Sequence, residues 1–285
     1  MNLLTLKEVD KEWMLEVIDK AIEIKKNPSK YYDLLKNKTL AMLFQKTSTR
    51  TRVSFEAGMT QLGGHAIFLD FTTTQLHKAS LKDEIRCIAR YADIIMARVY
   101  GQKIIEEIAS YSRVPVINGL SDQHHPCQIM ADLMTIYERE GKFKSVRLGY
   151  IGDGNNICNS LIIGCKKVGL NLQIACPKGY EPSEKFPVVH APKKIIQNVD
   201  YLYTDTWISM GQEKEKEKRI KAFRGFQLNK KLLGTSKAKI MHCLPAYDFE
   251  ITREIVESKN SIIFDQAENR LHVQKAILLK LLNKI

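Results

Sequence analysis

Apolar residues recur along the chain with two spacings, and segments of the two kinds alternate. Short apolar runs are typical of buried strands, and longer runs with an apolar residue every third or fourth position are typical of amphipathic helices. The strands predicted in the first half are TLAMLF, HAIFLD, DIIMARV and VPVING. Those predicted in the second half are SVRLGYIGD, NLQIACP, YLYTDTW, AKIMHCL and SIIFDQ. Helical segments separate most of these strands, so the pattern predicts βα units and parallel sheets.

The predicted helices complete this alternation. In the first half they are VDKEWMLEVIDKAIEIKKN, TRVSFEAGMTQLGG, SLKDEIRCIARYA, QKIIEEIASYS and HPCQIMADLMTIYERE. In the second half they include NNICNSLIIGCKKVG, APKKIIQNV, ITREIVES and LHVQKAILLKLLN. The two series meet at residues 142–144, where two lysines flank Phe143. We therefore predict an α/β fold of two domains, each a parallel sheet flanked by helices, with the active site in the cleft between them.

The charge of the chain narrows the function classes. The 285 residues include 44 Lys and Arg against 32 Asp and Glu, a formal net charge of +12. Much of this charge lies in mixed runs such as GQEKEKEKRIKAFRG, which are typical of an exposed helix face. No basic patch interleaved with aromatic residues is present, so nucleic-acid binding is the lesser alternative. Attraction of small anionic substrates fits the charge equally well.

The cysteines and the apolar runs indicate where in the cell the protein is located. The six cysteines are scattered without a C-x-x-C pair, which argues against a disulfide framework. We therefore predict that the protein is located in the reducing cytoplasm. No apolar run approaches the length of a membrane span. The segment MNLLTLKEVDKEW contains acidic residues and no small-residue cleavage site, so we predict that it is the first helix of the mature fold and not a signal or transit peptide.

The stretch FQKTSTRTRVSFEAG carries the first candidate site. It follows a predicted strand and opens a predicted helix, whose first N–H groups and partial positive charge favour an anion. Ser48, Thr49 and Thr51 add hydroxyl donors, and Arg50 adds a planar fork suited to phosphate oxygens. The stretch lacks the glycines and the G-K-[ST] ending of a Walker loop. An anion site is favoured over a merely well-capped helix with surface arginines.

A second candidate, HHPCQ, also stands between a predicted strand and a helix. His125 and Gln128 could both face a group above the strand ends, where ligands bind in open α/β sheets. A lone histidine is more often a core or surface residue. A metal site from His124, His125 and Cys127 is disfavoured, because their spacing matches no common zinc pattern.

Three further clusters follow strands of the second half. In IGDGNN the later glycine of a dinucleotide loop is missing, so Asn155 and Asn156 are instead candidates to bind a carboxylate or amide. In DTWISMGQE, Asp205 could bind an ammonium group. In HCLPA, His242 and Cys243 are neighbours on a strand and point to opposite faces, which disfavours a paired thiol nucleophile.

The clusters from both halves share one position, the carboxyl end of a strand. Taken in order, STRTR, HPCQ, GDGNN, DTWISMGQE, HCLP and AENRLHVQKA resemble the motifs of the aspartate/ornithine carbamoyltransferase family over nearly the whole chain. The S-M-G loop paired with H-C-L-P resembles the ornithine branch. The resemblance implies transfer of a carbamoyl group from carbamoyl phosphate to the δ-amine of L-ornithine, giving citrulline and phosphate in arginine metabolism, with biosynthesis as the expected direction.

The resemblance also implies the domain layout and the assembly. Residues 1–141, joined by the C-terminal helix 270–285, would bind carbamoyl phosphate, and residues 142–269 would bind ornithine. A homotrimer, or a multiple of trimers, is implied as well. The two small-molecule substrates are the expected partners, and neither nucleic acid nor a membrane is.

Site residues follow from the motifs that match. The resemblance implies that carbamoyl phosphate contacts Ser48, Thr49, Arg50, Thr51, Arg98, His125, Gln128, Cys243, Leu244 and Arg270. It implies that ornithine contacts Asn156, Asp205, Ser209 and Met210. The residues expected to act in catalysis are Arg50, His125, Asp205, Cys243 and Arg270. Neither a metal nor an organic cofactor is expected, since an amine can attack the carbamoyl carbon directly.

Two segments depart from the family pattern. The loop TTTQLHKASLKDE is shorter than usual and has Ala79 where a glutamate is common, which puts its contacts with a neighbouring subunit in doubt. The segment SEKFPVVHAPKKIIQNVD is also short, and a helix is expected to be missing there. The alternatives kept open are a carbamoyltransferase for putrescine, N-acetylornithine or aspartate, and a non-catalytic anion-binding or nucleic-acid-binding relative.

Overall fold

The structure is a computed structural model that describes residues 1–78, 80–209 and 211–285. Ala79 and Met210, both named in the sequence analysis, therefore lie outside the described residues. The chain divides into two compact units, one formed by Met1–Met134 with Asn269–Ile285 and the other by Thr135–Glu268. No helix in the described part of the chain is long and apolar enough to cross a membrane.

The helices and strands alternate for most of the chain. The α-helices are α1 (Lys11–Lys26), α2 (Thr49–Gln61), α3 (Leu81–Tyr91), α4 (Gln102–Tyr111), α5 (Pro126–Glu140), α6 (Asn156–Val168), α7 (Lys216–Ala222), α8 (Lys230–Leu233), α9 (Arg253–Val256) and α10 (Ile263–Leu281). The strands are β1 (Thr39–Phe44), β2 (His65–Asp70), β3 (Ile94–Arg98), β4 (Val116–Leu120), β5 (Arg147–Ile151), β6 (Asn171–Ala175), β7 (Val188–Val189), β8 (Tyr201–Thr204) and β9 (Lys239–His242). Short 3-10 helices occupy Pro28–Tyr31, Gln75–His77, Pro192–Lys194, Ile196–Asn198 and Glu213–Glu215.

The first unit contains a parallel sheet of four strands in the order β2-β1-β3-β4. Phe44 at the end of β1 pairs with Asp70 of β2 and with Arg98 of β3. The segments that leave these strands therefore start side by side at the carboxyl ends of the strands, which is where ligands bind in open parallel sheets. Strand β1 is central and nearly wholly buried, whereas β2 at the sheet edge is only partly buried.

The second unit contains a parallel sheet of five strands in the order β7-β6-β5-β8-β9. Strand β5 is central and pairs with both β6 and β8. Trp207, Phe223 and Phe226 belong to the apolar core that covers this sheet. The turn after β5 and the segments after β8 and β9 leave the same edge, because all these pairings are parallel.

The predicted fold class is confirmed, since both sheets are parallel and flanked by helices. One predicted strand is wrong. SIIFDQ contributes only an isolated bridge between Ser261 and Ile240, and its residues from Ile263 onward begin α10. A short apolar run has no period that distinguishes a strand from a buried helix end. Arg270 accordingly lies within α10 and not at its start.

The segment flagged as short also differs from the prediction. APKKIIQNV forms two 3-10 helices, Pro192–Lys194 and Ile196–Asn198, where an α-helix was predicted. The pair Val188–Val189, for which no strand was predicted, adds β7 to the sheet edge beside β6.

Candidate active site

The first site element is the segment between β1 and α2. Ser48 caps α2, because its side-chain oxygen accepts a hydrogen bond from the backbone N–H of Thr51 at 3.2 Å. The two hydroxyls are 3.1 Å apart, and Thr51 is fully buried. Thr49 and Arg50 are the first residues of the helix. The helix start therefore presents N–H groups, hydroxyls and a guanidinium within one turn, as an anion site requires.

A buried arginine joins this helix start to α5. Arg270 donates from Nη2 to Thr51 Oγ1 and from Nη1 to Gln128 Oε1, both at 2.8 Å. Gln128 in turn donates from Nε2 to Asp132 Oδ1 at 2.8 Å. Arg270 is 5% exposed, and Asp132 is fully buried. Residues from α2, α5 and α10 are thus fixed in one network of charge-assisted hydrogen bonds.

We call this group the arginine cluster. Its members, all in the first unit, are Ser48, Thr49, Arg50, Thr51, Arg98, His125, Gln128 and Arg270. Arg98 is the last residue of β3 and is buried. Lys46 was not named as a candidate site residue in the sequence analysis. It is 7% exposed, and its Nζ lies 4.6 Å from the centre of the Tyr100 ring. Its position in the polar segment just after a buried strand was the available signal.

His125 is the titratable imidazole among the arginines of this cluster. Burial lowers its pKa well below the ordinary value of 6.5, and the charges of Arg270, Arg98 and Arg50 lower it further. The neighbouring Cys127 is a buried thiol: burial raises its pKa to about 12, and its Sγ donates to the Asn118 carbonyl oxygen at 3.6 Å.

We expect the His125 imidazole to remain neutral as the pH falls through 6.5. In the unfolded chain the ring binds a proton near that pH, so the depressed folded-state pKa makes the free energy of unfolding decrease below about pH 6.5. NMR of ring-labelled protein, with the His125 signal assigned by its loss in His125→Asn, checks the first statement. Titration of that signal near pH 6.5 would contradict the expectation.

The second unit holds another polar group at its sheet edge. Asp205, directly after β8, is 4% exposed. Its Oδ2 accepts a hydrogen bond from Asn155 Nδ2 at 2.7 Å, and its Oδ1 accepts one from Cys243 Sγ at 2.8 Å. Asn155 also caps α6, because its Oδ1 accepts from the N–H groups of Ile157 and Cys158. Three separate strand ends are thereby connected through one carboxylate.

The turn that carries Cys243 is held from behind by a buried pair. His242 Nδ1 accepts a hydrogen bond from the backbone N–H of Leu244 at 2.8 Å, so the proton of the neutral ring is on Nε2. That Nε2 lies 3.3 Å from Glu250 Oε1, and both side chains are fully buried. Leu244 has a φ of +59°. Cys243 therefore faces Asp205 while His242 faces Glu250, as the opposite faces of a strand require.

We call this second group the aspartate cluster. Its described members are Asn155, Asn156, Asp205, Ser209, Cys243 and Leu244. Asn156 is the first residue of α6 and is half-buried. Ser209 is also half-buried, and its N–H donates to Gln212 Oε1 at 3.1 Å. Met210, predicted to bind beside Ser209, lies outside the described residues.

Donor atoms of Asp205, His242 and Cys243 lie within 4.8 Å of one another, a set that could coordinate a borderline metal such as zinc. Within this set Cys243 Sγ donates a hydrogen bond to Asp205 Oδ1, and His242 Nδ1 accepts one from the backbone N–H of Leu244. The same carboxylate and thiol are placed to orient an amine.

Comparison with protein-family models accounts for both units. The carbamoyl-phosphate-binding domain of aspartate/ornithine carbamoyltransferases matches residues 1–138, and their Asp/Orn-binding domain matches residues 144–281. The chain belongs to the aspartate/ornithine carbamoyltransferase family. The family resemblance drawn from the motifs is thereby confirmed, and small-molecule substrates are supported.

Relatives are similar along their full lengths. An ornithine carbamoyltransferase of Archaeoglobus fulgidus is 49% identical over 300 residues, covering 99% of this chain and 98% of the relative. An anabolic ornithine carbamoyltransferase of Pyrococcus furiosus is 47% identical over 298 residues, covering 97% of this chain and 95% of the relative. The solved structure of ornithine carbamoyltransferase from Pyrococcus furiosus superposes with a TM-score of 0.94 at 45% identity, covering 100% of this chain and 97% of that one.

Proposed function

We propose that the protein is an ornithine carbamoyltransferase, which transfers the carbamoyl group of carbamoyl phosphate to the δ-amine of L-ornithine. The observation that carries the proposal is near-half identity to ornithine carbamoyltransferases over the whole chain. The two clusters supply the chemistry, because one is suited to a phosphate and the other to an ammonium group. The anabolic name of one relative supports biosynthesis as the direction.

The arginine cluster would bind carbamoyl phosphate. The phosphate oxygens would accept hydrogen bonds from the N–H groups at the start of α2, from Ser48, Thr49 and Thr51, and from the guanidinium of Arg50. Arg98, which ends the neighbouring strand β3, would contribute a second guanidinium. These groups stabilise the negative charge that accumulates as phosphate departs, which is where fixed cations accelerate a reaction most.

The carbamoyl end would be held by Gln128, His125 and Arg270. Gln128 donates to Asp132 and accepts from Arg270, so its Oε1 has a remaining lone pair for the N–H of a carbamoyl group. The carbonyl oxygen becomes anionic when the amine attacks, and the Arg270 guanidinium together with an N–H of neutral His125 would stabilise it. We propose Cys243 and Leu244 as further contacts of this carbamoyl group.

The aspartate cluster would bind ornithine. Asp205 is a carboxylate suited to the α-ammonium group, and Asn156 with the Ser209 backbone is suited to the α-carboxylate. Cys243 would lie beside the δ-amine. We extend the same proposal to Met210 on the strength of the sequence motif.

The reaction then follows from the chemistry of the substrates. An alkyl ammonium has a pKa of about 10, so the δ-amine must lose a proton before its lone pair can attack. A desolvated site rich in cations lowers that pKa, and Asp205 with Cys243 would orient the proton that leaves. The amine nitrogen forms the new C–N bond and passes its second proton to the departing phosphate. The C–O bond breaks, and hydrogen phosphate leaves with the electron pair of that bond. Holding both substrates together supplies a large part of the acceleration.

We propose the domain division 1–141 with 270–285, and 142–269, for the two substrates, together with a homotrimer acting in the cytoplasm. Val53 on α2 is 56% exposed and Ile67 on the edge strand β2 is 40% exposed, which leaves apolar surface for a second copy. None of the six cysteines, all of them among the described residues, forms a disulfide. Sedimentation equilibrium tests the assembly, which should give three times the 32.7 kDa chain mass.

The first test is product formation with four acceptors side by side: ornithine, putrescine, N-acetylornithine and aspartate. We expect citrulline from ornithine, little product from the other three, and loss of turnover in Arg50→Ala because the phosphate loses its guanidinium. Preferential carbamoylation of another amine would overturn the acceptor assignment and keep the phosphate site. An inactive protein that retains nucleic acid in a salt-sensitive manner would favour the non-catalytic alternative.

A further inference from the structure

A buried ion pair lies behind the aspartate cluster. Arg219 on α7 and Asp153 in the turn after β5 form a salt bridge, with side chains that are only 6% and 8% exposed. Removing two charges from water costs free energy that offsets much of their attraction. A buried ion pair is therefore weak evidence for a role in stability alone. The pair was not among the site residues predicted from the sequence, where Arg219 belongs to a run interpreted as an exposed helix face.

Arg219 reaches a second acceptor in the loop after β8. Its Nε donates to the carbonyl oxygen of Trp207 at 2.5 Å. Its guanidinium also lies 4.9 Å from the centre of the Tyr180 ring. The planar fork is thereby held by a carboxylate, a backbone carbonyl and an aromatic face, which a lysine ammonium could not match.

Arg219 also lies 3.5 Å from the exposed carboxylate of Glu215. Its two buried acceptors, Asp153 and the Trp207 carbonyl, are next to the residues proposed to face the substrate. Trp207 is two residues after Asp205 and two before Ser209, in the segment we call the Ser209 loop (residues 206–209). Asp153 is two residues before Asn155, whose side chain donates to Asp205. Trp207 is 3% exposed, and its ring stacks 5.1 Å from that of Phe223. Arg219 thus connects two of the three backbone segments that carry the aspartate cluster.

We propose that Arg219 and Asp153 are positioning residues for the amino-acid acceptor, holding the Ser209 loop and the turn of Asn155 at the spacing that the acceptor needs. The inference rests on the proposed function, in which these segments bind ornithine. Neither residue is placed to touch the substrate. Their effect is on the geometry of Asp205, Asn156 and Ser209, so it concerns acceptor binding and not the carbamoyl phosphate site of the first unit.

The test measures ornithine and carbamoyl phosphate separately. In Arg219→Lys, which cannot reach both acceptors in one plane, we expect the ornithine KM to rise roughly tenfold, equivalent to about 1.4 kcal/mol. Binding of carbamoyl phosphate, measured by calorimetry without ornithine, should stay within twofold of wild type. The matched control is Arg147→Lys, because Arg147 pairs with Asp200 in the same unit but is 44% exposed. That control should leave both constants unchanged.

A second variant separates positioning from folding. Replacing the pair by apolar residues, Arg219→Met with Asp153→Leu, removes two buried charges together and is often neutral for stability. The Trp207 carbonyl still loses its donor, so we expect a raised ornithine KM at a melting temperature near that of wild type. If the ornithine KM follows the melting temperature across all three variants, the pair has a structural role only and the inference fails.

The pH profile gives an independent readout. Burial raises the pKa of Asp153 to about 7, the Arg219 charge opposes this, and the charges of Asp205 and Glu215 add to it. The ion pair weakens as Asp153 gains a proton. The ornithine KM of the wild type should therefore rise more steeply below pH 7 than the ornithine KM of Asp153→Asn. Parallel profiles would contradict the inference. A wild type that makes no citrulline would instead overturn the proposed function, whatever the variants do.

Discussion

Arg270→Met is expected to lower kcat/KM for carbamoyl phosphate by roughly a thousandfold. Arg270 supplies two hydrogen bonds at 2.8 Å, one to Thr51 and one to Gln128. Methionine fills a similar volume but leaves both oxygens without that donor in a buried site. The substrate also loses the guanidinium that would face its developing oxyanion.

Two controls make this expectation specific. Arg270→Lys keeps the charge but cannot bridge two acceptors in one plane, so it should recover only a small part of the activity. Arg113→Met removes an exposed arginine of the same unit that donates to the Ala89 carbonyl, and it should leave activity unchanged. Near wild-type kcat/KM in Arg270→Met, at an unchanged melting temperature, would remove Arg270 from the carbamoyl site.

Asp205→Asn is expected to lower kcat/KM for ornithine by roughly two to three orders of magnitude and to leave carbamoyl phosphate binding intact. The carboxylate accepts from Asn155 and Cys243 and is 4% exposed, so the loss of its charge is poorly replaced by water. An amide at this position must also turn a donor toward one of two groups that are themselves donors. Steady-state kinetics with each substrate varied in turn measures the effect.

The matched control lies at the other end of the same strand. Asp200 immediately precedes β8 and forms an exposed salt bridge with Arg147, 2.9 Å long. Exposed pairs of this kind contribute little, so Asp200→Asn should change neither substrate constant by more than about twofold. If both substitutions lowered kcat/KM for ornithine equally, the effect of Asp205→Asn would come from a disturbance of β8 and not from a loss of contact with the substrate.

Much of the architecture was predictable because its signals are local. Runs such as TLAMLF and HAIFLD have the length, flanking turns and apolar content of buried strands, and they form β1 and β2. The helix predicted from Thr51 onward forms α2, which begins two residues earlier because Ser48 caps it. The placement of polar clusters after strands pointed to one edge of each sheet, because parallel strands end together.

The predictions failed where the local signal was ambiguous. SIIFDQ has the composition of a strand, yet the apolar positions that follow continue with helical spacing and draw Ile263 into α10. APKKIIQNV has too few residues to form a stable helix by propensity alone, and it folds into two 3-10 helices. Neither outcome alters the residues of the two clusters.

The sequence by itself determined the order of the motifs, the α/β class and the residue types of the site, since each depends on neighbours along the chain. Only the tertiary structure decided which of those residues touch. The contact of Arg270 with Thr51 joins residues 219 positions apart. The buried pair of Arg219 and Asp153 joins residues 66 positions apart. Arg219 belongs to a run whose charge pattern is typical of an exposed helix face. Such pairings depend on how sheets bring distant segments together, and hydrophobic periodicity carries no record of them.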